Sequence, residues 1–94
     1  MIVADDMLRL LQCPITAQRL VNTRSEIIDR ANRLIDDRQL TNRLGDVVED
    51  FFDGGLIDNA GTWLYAVRDG IVCLLADEAI PLAQLDLKQE NAAQ

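Results

Sequence analysis

The sequence predicts an α+β fold, a small antiparallel β-sheet with one main packed helix, and three observations predict it. Ile27, Ile28, Ala31, Leu34 and Ile35 recur at helical spacing and form one apolar stripe. Trp63, Tyr65 and Val67 alternate with Leu64, Ala66 and Arg68, which is the period of a strand. Asp53-Gly54-Gly55, Asn59-Ala60-Gly61 and Asp69-Gly70 are turn signals that cut the second half into short pieces.

In chain order, Asp5 or Asp6 caps a short helical turn carrying Met7, Leu8, Leu10 and Leu11, which Pro14 ends by disfavouring helical geometry before it. Residues 18–22 read as a short strand around Leu20 and Val21. Ser25 is the expected N-cap of the main helix, with Glu26 in the first turn complementing the helix dipole and Asp29 four residues before Arg33. That helix is expected to end near Asp37 or Arg38.

Residues 40–44, a Gly45-Asp46 turn and residues 47–52 fit a helical turn as well as a bulged strand. Leu56 and Ile57 pair as a hairpin with the run that starts at Thr62. Asp69-Gly70 is a tight turn, because glycine takes positive φ at no steric cost. Ile71 to Leu75 is apolar at every position, so both its faces need cover and it is the expected central strand, with the helix on one side. Pro81 interrupts Ala79, Ile80, Leu82, Leu85 and Leu87, and the polar residues 88–94 read as a frayed tail.

The 94 residues make one domain, 1–94, too short to divide into two cores. Hydrophobic residues are 49% of the chain and aromatics 4%, so the core is built mainly from Leu, Ile and Val. Nine Lys and Arg against 16 Asp and Glu leave a net charge of −7, which repels phosphate backbones and argues against a nucleic-acid partner. The apolar runs are short, and Met-Ile-Val-Ala-Asp-Asp has neither a basic start nor a long apolar stretch, so no export signal, no membrane span and a cytoplasmic location are expected. Cys13 and Cys73 are then expected as reduced thiols.

Two segments resemble a known family. They are Leu-Leu-Gln-Cys-Pro at 10–14, and Leu64-Tyr65-Ala66-Val67-Arg68-Asp69-Gly70-Ile71-Val72-Cys73-Leu74-Leu75 followed by Asp77-Glu78-Ala79. They look like the small zinc-ribbon proteins related to the activator subunit of tRNA and translation-factor methyltransferases, including YcaR-like proteins. A Tyr-Pro-Ile-Arg-Asp-Gly-Ile-Pro pattern marks that family, and here Ala66 and Val72 replace both prolines. The resemblance covers about half of the chain and leaves residues 24–54 as a helical insertion relative to the short members.

The resemblance implies a zinc ribbon, but this chain departs from it where the metal would be. The Cys-Pro-x-Cys knuckle reads Cys13-Pro14-Ile15-Thr16, Asp58 stands near the place of a later ligand, and there is no histidine. A structural zinc needs four ligands, mostly thiolate or imidazole, so the expectation is a degenerate zinc-ribbon-like core with its metal site lost. Zinc supplies on the order of 10 kcal/mol to such folds. Five stripe residues at about 1.5–3 kcal/mol each, before entropy is subtracted, are of the right order to replace it.

Cys13 reads as a former ligand, a reactive thiol or, best, a buried side chain, and Cys73 as core. Asp46, Glu49, Asp50, Asp53 and Asp58 read as solvated turns, because their spacing fails the EF-hand pattern. No catalytic residue and no cofactor are expected, given no histidine, no activated nucleophile motif and no glycine-rich phosphate loop. What the resemblance implies instead is a non-catalytic module that binds and stabilises a cytoplasmic protein, such as a SAM-dependent methyltransferase. Strand addition would bring Ile71, Val72, Leu74, Ile80 and Leu82 to the contact. The alternatives are a free-standing structural domain or homodimer without a client, and a divalent-cation or small-ligand binder using the acidic turns.

Overall fold

A computed structural model describes residues 5–8 and 10–85. Leu87 and the expected tail at 88–94 lie outside the described residues. The order is α1 (Asp5–Leu8), β1 (Leu20–Asn22), α2 (Ser25–Asp36), β2 (Gly54–Asp58), β3 (Trp63–Arg68), β4 (Ile71–Val72) and β5 (Ile80–Pro81), with 3-10 turns at Ala76–Glu78 and Leu82–Leu85. This is an α+β fold. All strand pairs are antiparallel: β1 pairs with β2, β2 with β3, and the far edge of β3 is shared by β4 and β5.

The central strand is therefore β3, and the expectation that residues 71–75 form it is corrected. Asp69 and Gly70 both have positive φ, 52° and 78°, which is the two-residue hairpin turn whose twist suits the flanking strands. That turn folds the chain straight back, and the strand ends at Val72, on the sheet edge. Apolarity could not rank the two runs. What ranks them is cover: Leu64, Tyr65, Ala66 and Val67 are all buried, whereas Ile71 is 71% exposed.

Strand alternation sorts two cores onto the two faces of the sheet. Gly55 and Ala66 point to the α2 side, where Ile27, Ile28, Ala31 and Ile35 meet Leu40, Phe52, Leu64 and Ile80. Leu56, Tyr65 and Val67 point to the other side and meet Cys13, Leu20 and Ala79. The stripe read from the sequence thus covers one sheet face, with Leu34 only partly buried. Segment 24–54 is integral to the first core.

The approach of helix to sheet depends on Gly55. A Cβ there would lie 2.7 Å from Ile28 Cδ1 and 2.9 Å from Leu64 Cδ1. Gly55→Val should cost about 1–3 kcal/mol by overpacking, read as a lower urea midpoint with an unchanged slope.

Three boundaries differ from expectation. The N-cap of α2 is Arg24, whose carbonyl takes the first bonds from Ile27 and Ile28 N–H, and the Ser25 hydroxyl donates to Glu26 Oε1 instead (3.3 Å). Helix α1 closes at Leu8 rather than running on towards Pro14, and Leu10 is 83% exposed while Leu8 and Leu11 pack on the second core. Residues 40–52 form neither helix nor strand beyond one Thr41–Val47 bridge. Long-range polar ties position them: the Asn32 side chain donates to Phe52 O (3.0 Å) and accepts from Phe52 N–H (2.7 Å), and Gln84 clips both backbone groups of Thr41. After α2, Arg38 turns left-handed (φ 58°), and Gln39 N–H reaches back to Leu34 O, which closes the helix as a Schellman turn.

Candidate functional site

Two features of the fold carry chemistry: the β4 edge and a buried polar cluster where the zinc-ribbon resemblance would place a metal.

At the edge, Arg68 and Ile71 flank the tight turn, so they are the pair that exchanges both ladder bonds, and Val67 and Val72 are the next pair along. In an antiparallel ladder this alternation aims the Val72 N–H and C=O away from β3, towards the open side. Cys73 N–H then returns to Ala66 O (2.9 Å). Ile71 shares the α2 face with its partner Arg68, and it and Leu75 are 71% and 61% exposed.

The five residues expected at a partner contact are not brought together on this surface. Ile71 is exposed, whereas Val72 and Leu74 are partly buried against the second core. Ile80 and Leu82 are core residues, 2% and 6% exposed, because β5 docks on β3 and the 3-10 turn after it packs under α2. Their side chains offer no surface in this fold. Leu75 is the contact candidate the sequence reading missed, having been assigned a covered place in a central strand. Cys73, expected in the core, is only half-buried, with Sγ 3.5 Å from Glu78 Oε2.

Beside this edge, Val47, Asp46, Glu49, Asp50, Cys73 and Glu78 help to line a cleft of about 250 Å³ between segment 42–50 and the sheet. Arg68 also lines it, its guanidinium donating to Phe51 O and Asp50 O and lying over the Phe52 ring at 4.9 Å.

The buried cluster lies on the opposite face. The turn after Cys13 is tight: Cys13 O accepts from Ala17 N–H, Cys13 N–H donates to Gln18 O, and Ala17 has φ 60°. Cys13 Sγ is 2.7 Å from the Tyr65 hydroxyl, and the Thr16 hydroxyl donates to Asp58 Oδ2 at 3.4 Å. Asp58 Oδ1 accepts the backbone N–H groups of Thr62 (2.7 Å) and Trp63 (3.1 Å). Asp58 is 1% exposed, which corrects its reading as a solvated turn residue, while Asp46, Glu49, Asp50 and Asp53 are exposed as expected. The reason is local. Asp58 ends β2 and its carboxyl group satisfies the donors of the β2–β3 turn, a role that acidic spacing does not reveal.

Cys13, Thr16 and Asp58, the positions that the resemblance assigns to ligands or their neighbours, do sit around one spot, but their chemistry does not fit zinc. One thiol, one carboxyl and two hydroxyls are not a four-ligand thiolate or imidazole set, and one Asp58 oxygen is already committed to backbone donors. Among the described residues no group of three or more His, Cys, Asp or Glu comes together.

Burial pushes the Cys13 thiol up, but hydrogen bonds from Thr16, Tyr65 and nearby backbone outweigh it and hold the thiol below its ordinary value. Burial, with Cys13 adding to it, holds the Tyr65 phenol well above its ordinary value of 10.0. The folded state therefore keeps the phenolic proton more tightly than the unfolded chain does. The stabilisation this represents is complete below pH 10.0 and is lost as the pH rises beyond it. With one tyrosine in the chain, tyrosinate absorbance reports this group alone. It should stay silent past the ordinary phenol range and then appear together with unfolding.

No family model matches the chain, and no curated protein matches it. Among solved structures, the solution NMR structure of XF2673 from Xylella fastidiosa is similar, with a TM-score of 0.69 and 25% identity over 88% of this chain and 86% of that chain. The likeness runs through most of both chains, so the α+β architecture is shared.

Proposed function

We propose that this chain is a non-catalytic interaction module that adds a partner protein to its sheet, in the manner of the methyltransferase activators it resembles. The observation that carries the reading is the open β4 edge, where Val72 turns its backbone groups outward between the exposed Ile71 and Leu75. An outward backbone donor and acceptor flanked by apolar side chains is a starting point for strand addition. The client on this reading is a cytoplasmic enzyme, a SAM-dependent methyltransferase being the class the resemblance implies. The net charge of −7 speaks against nucleic acid, and among the described residues no helix is long and apolar enough to cross a membrane.

The test is affinity capture of the tagged chain from its own lysate, with light scattering of the isolated protein and Ile71→Asp as the control variant. Ile71 is exposed, so the variant should melt as the parent does. A stoichiometric methyltransferase that is lost with Ile71→Asp supports the reading. A homodimer in solution with no client overturns it and leaves a structural domain.

A further inference from the structure

Resting on that reading, we infer that the segment added at β4 is basic: an extended stretch of another protein in which Lys or Arg alternates with apolar residues. Three observations converge on this chemistry. First, the open edge and the cleft adjoin, because Cys73, the residue after β4, lines the cleft together with Glu78. Side chains of an added strand alternate between the two faces, so every second one would hang on the α2 side, over Ile71 and the cleft.

Second, the cleft is acidic: Asp46, Glu49, Asp50 and Glu78 line it against one cation, Arg68. Asp46, Glu49 and Asp50 make no ion pair with a described residue, and Arg68 is tied to carbonyls and to Phe52. Asp77, beyond the cleft, is already paired with Arg43 at 3.5 Å. A cationic side chain entering from the edge supplies the missing charge. Third, the cleft is small. At about 250 Å³ it falls below the 300–1,000 Å³ of cofactor and drug-sized pockets, and suits one long side chain rather than a free ligand. A second copy of this chain is the poorer occupant, since two molecules of charge −7 would have to meet acidic rim to acidic rim.

The experiment selects a random peptide library displayed on phage against the immobilised full chain, then measures the enriched sequences as synthetic peptides. Enrichment of alternating apolar and basic sequences is expected. Their affinity should fall at least tenfold with the double charge reversal Glu49→Lys and Glu78→Lys, fall steeply with added salt, and vanish with Ile71→Asp. Both residues reversed are exposed, and an unchanged melting curve checks that the variant folds. Neutral or acidic peptides that still depend on Ile71, or basic ones indifferent to the charge reversal, overturn the basic-strand inference and leave strand addition standing. No enrichment, or binding that ignores Ile71→Asp, overturns both. A mass twice the 10.5 kDa of the chain, returning to the single value with Ile71→Asp, gives the edge to a second copy and also overturns the inference.

Discussion

Replacing Asp58 with alanine is expected to lower the melting temperature by roughly 10–20 °C, an effect out of proportion to a residue in an acidic, turn-rich stretch. The carboxyl group accepts from Thr62 N–H, Trp63 N–H and the Thr16 hydroxyl, and it is buried. Removing it leaves two part-buried backbone donors of the β2–β3 turn without acceptors, and an orphaned donor costs about 1–3 kcal/mol when fully buried, so each of these falls near the lower end. A loss of about 2.5 kcal/mol converts to the stated shift at about 4–8 °C per kcal/mol for a domain of this size. Asp58→Asn separates the roles. It retains an oxygen for the turn but can present an amide to Thr16, so it should fall between alanine and the parent. If alanine melts within a few degrees of the parent, the cluster is decoration, and tying the Cys13–Ala17 turn to the sheet must be done elsewhere.

Ile28→Asp is expected to abolish the cooperative transition or lower it by more than the Asp58 variant does. Ile28 is buried, and its Cδ1 lies over Gly55, where helix and sheet come closest. Truncating a core isoleucine costs about 2–5 kcal/mol, and a carboxylate placed in this apolar core is desolvated at further cost. The sum approaches the roughly 5–15 kcal/mol that holds a whole domain together. Ile28→Val, at about 0.5–1.5 kcal/mol, calibrates the site. The comparison tests directly whether the α2 stripe carries the stability that the resembled ribbons take from metal: an unchanged melting curve for Ile28→Asp would show that it does not.

The parts of the fold that were legible in the sequence are those whose signal is local. Ile27, Ile28, Ala31 and Ile35 mark their helix by period, and Asp69-Gly70 marks its turn by the φ values that glycine permits. Residues 40–52 carried no such period, and their path follows from Asn32 and Gln84, side chains 20 and 43 residues away in sequence from their partners. Of the contact residues expected from the resemblance, only Ile71 lies exposed at the edge, because the same apolar character serves a core position at Ile80 and a surface position at Ile71.

By itself, then, the sequence determined the α+β class, the place of the main helix, and the β2–β3 and β3–β4 hairpins, since each depends on residue identity and spacing along the chain. Tertiary structure alone decided that β3 and not β4 is central, that Asp58 is buried while its acidic neighbours are solvated, and that the β4 edge stays open beside an acidic cleft. Those outcomes depend on what covers each residue. Cover comes from segments distant in the chain, through pairings that no local period records.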